Sequence, residues 1–121
     1  MKSATAGVIW DQDQVLIAKR RKDEYWEFPG GKIEPGESAQ ECLIREIREE
    51  LSISIRIEEY LARIQGRFRG RDMDLHAFHA VWVAGDLDLS VHTEVRRIDP
   101  LELPQYRFIH EDREIVKIIK P

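Results

Sequence analysis

The stretch Phe28–Leu51, FPGGKIEPGESAQECLIREIREEL, is the part of the sequence that decides the fold. It opens with a doubled glycine, Gly30-Gly31, which is followed by a turn at Pro35-Gly36. Ser38 and Glu41 then have the S-x-x-E spacing of a capping box, in which each side chain accepts a hydrogen bond from the other residue's backbone amide. The spacing predicts a helix that begins near Ser38.

This helix has an apolar arc and an acidic arc. At about 100° per residue, five apolar side chains fall on one arc: Ala39, Leu43, Ile44, Ile47 and Leu51. The acids Glu46, Glu49 and Glu50 cluster within roughly 100° of an adjoining arc. Their oxygens could converge on a hard cation such as magnesium. An ordinary solvated face has the same spacing, because like charges at i and i+4 cost a helix only about 0.2–0.5 kcal/mol.

Composition limits the function classes. A chain of 121 residues with 42% hydrophobic and 35% charged residues fits one compact domain over residues 1–121. One cysteine, no span for a membrane and no signal peptide favour a soluble, cytoplasmic protein without disulfides. The net charge of −4 argues against binding to duplex nucleic acid. If the ligand is anionic, something must offset its repulsion by the acidic protein, and a divalent cation is the obvious candidate.

The remaining sequence predicts an α/β sandwich with a mixed, largely antiparallel sheet. Alternating or continuous apolar runs, separated by polar turns, mark the strands. In chain order we predict a hairpin of Thr5–Trp10 and Gln14–Lys19, a strand Ile53–Ile57 continued by Glu59–Gln65, a turn at Gly66–Asp72, strands Met73–Val83 and Val91–Ile98, and a helix Glu111–Ile119.

Six residues match the signature G-x5-E-x7-R-E-U-x-E-E-x-G-U: Gly31, Glu37, Arg45, Glu46, Glu49 and Glu50. The chain therefore resembles the Nudix hydrolases, and the resemblance implies their α/β/α sandwich. Ser52 departs from the signature, which has glycine there to end the helix. Because that glycine typically adopts a left-handed backbone, we expect serine to cost stability and to leave the carboxylates unaffected.

The resemblance also implies the roles of these residues. Glu46, Glu49 and Glu50, with the carbonyl of Gly31, would bind Mg²⁺ or Mn²⁺, which would activate a water. Arg45 would orient these glutamates, and the four residues together would form the catalytic set. Glu37 would brace the loop or bind metal through water.

The segment Trp26–Ser38 and the short chain look most like the MutT-type pyrophosphohydrolases of this family. That similarity implies hydrolysis of a nucleoside triphosphate to the monophosphate and pyrophosphate, with either an oxidised purine nucleotide such as 8-oxo-dGTP or a pyrimidine nucleotide such as CTP or dCTP as substrate. Two alternatives stay open: hydrolysis of ADP-ribose or a nucleotide sugar, and nucleotide sensing without turnover. We expect a monomer or homodimer.

Similarity to these relatives also implies substrate contacts. Arg20 and Lys32 would meet phosphate, although both could be surface charges. Asp112 would select the base, although it could equally be a helix N-terminal acid. The base pocket would be lined by three side chains that could also be core: Phe28, Phe68 and Met73.

One loop departs from these relatives. They carry a glutamate where this chain has Val91 beside His92, so its role is vacant or shifted to Glu94. A zinc site is not predicted, because His76 and His79 should point to opposite faces of a strand. We interpret the histidines as core-edge or surface residues.

Overall fold

The structure is a computed structural model that describes residues 2–68 and 71–119, with the side chain of Phe68 outside the described part. The elements follow in the order β1 (Lys2–Asp11), β2 (Gln14–Arg20), β3 (Trp26–Glu27), α1 (Ala39–Leu51), β4 (Ser54–Phe68), β5 (Arg71–Ala84), β6 (His92–Ile98), a 3₁₀-helix (Pro100–Gln105) and α2 (His110–Ile118).

The strands form one sheet. β1 pairs with β5 in parallel, whereas the pairs β1–β2, β2–β3, β2–β6 and β4–β5 are antiparallel. The predicted mixed, largely antiparallel sheet is confirmed.

The helices cover opposite faces of the sheet. On one face, α1 packs through Leu43, Ile47 and Leu51. On the other, the 3₁₀-helix and α2 bury Leu103 and Ile115. Because successive strand residues point to opposite faces, β1 and β2 contribute side chains to both cores.

The loop that contains the doubled glycine lies beside β1. This segment, residues 29–37, is called the glycine loop. β1 and β2 pair only at the two positions next to their turn. Farther along β1, the amides of Thr5 and Gly7 donate to the carbonyls of Gly31 and Pro29, each at 2.8 Å. A Cβ on Gly30 would lie 2.1 Å from the Thr5 carbonyl oxygen. The loop therefore takes the place of a neighbouring strand, and only glycine permits its close approach.

Three details differ from the sequence-based expectations. The turn predicted at Gly66–Asp72 is too long, because β4 continues to Phe68 and β5 begins at Arg71. β3 was not predicted, since two residues are too few to show alternation. The 3₁₀-helix was also missed; it begins after Asp99, whose side chain accepts from the Leu101 amide.

Candidate active site

The start of α1 sets the direction of its acids. The Ser38 side chain accepts from the Glu41 amide at 3.1 Å, and the Glu41 side chain accepts from the Ser38 amide at 2.8 Å, so the capping box is confirmed. The side chains of Glu46 and Glu50 are 19% and 13% exposed, whereas that of Glu49 is 53% exposed. Two of the three acids therefore lie at the buried border of the helix.

Arg45 connects α1 to the glycine loop. Its Nε and Nη2 donate to the two oxygens of Glu37 at 2.6 and 2.9 Å, and its Nη1 donates to Glu46 and Glu49 at 2.9 Å. The Arg45 hydrogen bonds, followed by one from the Glu34 backbone, lower the pKa of Glu37 to about 2. Because both oxygens of Glu37 are engaged, the geometry supports its role as a brace for the loop rather than a metal contact.

Gly31 contributes space to this cluster. A Cβ there would lie 2.4 Å from the Cδ atom of Glu46. Its carbonyl oxygen already accepts from the Thr5 amide at 2.8 Å and from the Cys42 thiol at 3.5 Å. The metal contact expected of this carbonyl stays a prediction, and the missing side chain of Gly31 makes room for Glu46.

Glu50 is the acid without a hydrogen-bonded partner for one oxygen. Among the described residues, nothing donates to its buried Oε1. Burial, followed by the hydrogen bond and charge of Glu46 and the charges of Glu27 and Glu49, raises the pKa of Glu50 to about 9. A divalent cation would restore the ionised form and occupy the unused oxygen. The acid set therefore fits a metal site.

Two residues that the sequence analysis missed also border Glu50. Nε2 of His92, at the start of β6, lies 2.7 Å from Oε2 of Glu27, at the end of β3, and 4.0 Å from Oε1 of Glu50. His92 is 2% exposed, so of the two interpretations of this histidine the surface one does not apply and the core-edge one does. Glu94 pairs instead with Arg96, which argues against a shift of the loop role to Glu94. The sequence did contain one signal for His92: it lies next to Val91, which stands where relatives carry a loop glutamate.

A cleft of about 440 Å³ adjoins the acids. Its walls include Glu27 and Gly31, and four cations also line it: Lys2, Arg20, Lys32 and Arg71. The charge of Arg71, followed by that of Lys32, lowers the pKa of Lys2, so these cations are close enough to repel one another. Both predicted phosphate contacts, Arg20 and Lys32, lie on this cleft. An acidic cluster beside a cationic wall suits a phosphate chain bound through a cation.

Residues 1–117 match the family model described as the NUDIX domain. The chain belongs to the Nudix family. Nudix hydrolases are metal-dependent, and metal binding by Glu46, Glu49 and Glu50 stays a prediction.

Similar Nudix proteins cover most of the chain. The CTP pyrophosphohydrolase of Escherichia coli K12 is 38% identical over 110 residues, which span 88% of this chain and 82% of that protein. The 8-oxo-dGTP diphosphatase of Proteus vulgaris is 37% identical over 78 residues, spanning 60% of this chain and 70% of that one. The solution structure of the E. coli ORF135 protein has a TM-score of 0.86 and 34% identity, and the match covers 98% of this chain and 87% of the other. The predicted Nudix-type fold is confirmed.

Asp112 of this Nudix domain is inside the protein. It is 2% exposed, and its Oδ2 accepts from the Phe28 amide at 2.7 Å. Burial is the main reason that the pKa of Asp112 lies well above its usual range. This hydrogen bond ties α2 to the segment before the glycine loop.

The structure gives a different result for each of the three side chains predicted to line the base pocket. Phe28 is buried and stacks on Phe108 with ring centroids 5.0 Å apart, so the core alternative applies to its side chain. Met73 lines the cleft. The side chain of Phe68 lies outside the described residues.

Ser52 replaces the Nudix glycine without disturbing the helix end. Its φ of 64° is in the left-handed region, as expected for this position. Its amide donates to the Arg48 carbonyl at 3.0 Å, and its hydroxyl donates to the Asp88 carbonyl at 3.3 Å.

Within residues 2–68 and 71–119, neither helix has the length and apolar character to cross a bilayer.

Proposed function

We propose that this Nudix protein hydrolyses a nucleoside triphosphate to the monophosphate and pyrophosphate, with Mg²⁺ or Mn²⁺ as cofactor. The observation behind the proposal is the buried Oε1 atom of Glu50, which has no hydrogen-bond partner among the described residues and belongs to an acidic cluster near a cleft lined by four cations. The names of the relatives support this substrate class, because they specify CTP and 8-oxo-dGTP.

The proposed reaction is displacement at phosphorus. The oxygen of water bonds to one phosphorus of the α–β anhydride while the bridging P–O bond breaks. A cation held by Glu46, Glu49 and Glu50 would supply charge against the phosphates and lower the pKa of water. Arg45 keeps Glu46 and Glu49 in position by charge-assisted hydrogen bonds. Arg20 and Lys32 hold the phosphate chain from the cleft.

A panel of nucleotides assayed with Mg²⁺ tests this proposal. We expect monophosphate and pyrophosphate from a CTP-like or 8-oxo-dGTP-like substrate, and loss of turnover on exhaustive chelation. If the protein hydrolyses only ADP-ribose or nucleotide sugars, it belongs to the alternative class of hydrolases. Binding without products would identify a sensor, and undiminished turnover after chelation would exclude the metal mechanism. A monomeric or homodimeric cytoplasmic enzyme remains our prediction.

The Asp112→Asn variant is expected to change base preference more than chemistry. The amide oxygen can still accept from the Phe28 amide, but an NH₂ group, which only donates, replaces the oxygen that would accept from a base amine in the ionised carboxylate, the form that a bound donor favours. We expect KM for the best amine-bearing nucleotide to rise about tenfold, or about 1.4 kcal/mol, with kcat within a few fold. Steady-state kinetics measure both constants. Asp86→Asn, at an exposed position, is the control, and equal loss on every nucleotide would instead make Asp112 a structural residue.

A further inference from the structure

A group of three potential metal ligands comes from separate parts of the chain: Glu27, Glu50 and His92. They come from β3, α1 and β6, and one ligand atom from each lies within 4.8 Å of the others. The Nε2 atom of His92 is 2.7 Å from Glu27 and 4.0 Å from Glu50. Around an ion with bonds of roughly 2.1 Å, ligand atoms are about 3 Å apart at adjacent octahedral positions and about 4 Å apart at opposite ones. The two histidine distances are close to these values.

The protein leaves this group short of positive charge. The Glu50 Oε1 atom is buried without a hydrogen-bond partner among the described residues, and Nε2 is the nitrogen of His92 that faces both acids. The cation that comes near, Arg20, is 4.0 Å from the other oxygen of Glu27 and binds Asp23 more closely, at 3.1 Å. Two acidic side chains therefore face one buried imidazole, and a divalent cation would stabilise the ionised form of both acids.

We infer that Glu27, Glu50 and His92 bind a divalent transition-metal ion through two carboxylates and an imidazole nitrogen, so that this protein prefers Mn²⁺ to Mg²⁺. An imidazole ligand favours transition ions, whereas Mg²⁺ prefers oxygen. The centre shares Glu50 with the proposed hydrolase site and in that respect rests on the proposed function. Glu27 and His92 add ligands that the signature glutamates do not supply.

Pulsed electron paramagnetic resonance of the Mn²⁺-loaded protein, without nucleotide, tests this directly. Electron spin echo modulation from a coordinated imidazole nitrogen is expected in the wild type and should be lost in His92→Gln. His76→Asn is the matched control, because His76 contacts Tyr60 in another part of the sheet, and it should keep the modulation. Wild-type protein that does not bind Mn²⁺, or binds it without imidazole modulation, would overturn the inference even if His92→Gln fails to fold.

Competition between Mn²⁺ and Mg²⁺ gives a second readout. We expect the dissociation constant for Mn²⁺ to rise about tenfold in His92→Gln. His92→Glu restores a ligand but makes it an oxygen, so it should bind Mg²⁺ while losing most of the Mn²⁺ preference. An unchanged preference in both variants would make His92 only an ion-pair partner of Glu27. Nucleotide hydrolysis with Mg²⁺ in the same wild-type preparation tests the proposed function separately.

Discussion

Replacing Glu50 by glutamine is expected to lower kcat by about 10³-fold, which corresponds to roughly 4 kcal/mol of transition-state stabilisation. Glutamine keeps the size of the side chain but removes the charge that would hold a cation. The metal-free protein should nevertheless unfold at the same or a higher temperature. Burial and the neighbouring acids raise the pKa of Glu50, so at neutral pH the folded protein must keep this carboxyl protonated, a cost that glutamine removes.

The measurement pairs steady-state kinetics in Mg²⁺ with thermal unfolding in chelator. Glu49→Gln should show the same loss of kcat with little change in stability, because Glu49 is half exposed. Glu59→Gln, an exposed glutamate on β4, is the control and should match the wild type in both assays. Full activity in Glu50→Gln would show that the Glu50 carboxylate is not needed to hold the catalytic metal.

Alanine substitutions at the two adjacent glycines of the glycine loop should have different effects on stability and activity. In Gly30→Ala, the new Cβ would lie 2.1 Å from a backbone oxygen of β1, so the loop and the strand must separate. We expect a loss of about 3 kcal/mol or more in the free energy of unfolding. In Gly31→Ala, the new Cβ meets the end of the Glu46 side chain, which can move aside. We expect nearly unchanged stability and a fall in kcat of about 10²-fold.

Chemical denaturation and kinetics on both variants separate these effects. Each glycine serves as the control for the other, since the substitution is the same and the positions are adjacent. If Gly31→Ala loses stability as strongly as Gly30→Ala while its folded fraction keeps full kcat, then Gly31 supports the sheet and not the acid cluster.

Local signals predicted the parts of the fold that depend on neighbouring residues. The capping box located the start of α1 because its hydrogen bonds join residues three apart. Alternation located the long strands, and the signature located the acids. β3 and the 3₁₀-helix were missed because two strand residues and an irregular proline-containing turn have no distinctive period.

Contacts between distant segments could not be predicted in the same way. Glu27 and His92 are 65 residues apart and meet only because β3 and β6 both pair with β2. The hydrogen bond from the Phe28 amide to Asp112 joins residues 84 apart and uses a backbone group that no side-chain pattern reveals. The engagement of the Gly31 carbonyl by Thr5 likewise depends on how β1 and the glycine loop pack.

The hydrogen bonds between β1 and the glycine loop link ligand binding to folding. The loop that makes room for Glu46 also satisfies the amides of Thr5 and Gly7, so the proposed metal site and the centre of the sheet share one set of contacts. A ligand that binds only the native state stabilises it by RT ln(1 + [L]/Kd), about 2.7 kcal/mol at a hundredfold excess over Kd. Cations and nucleotides can therefore be ranked from melting curves alone, including compounds that the protein binds without hydrolysing.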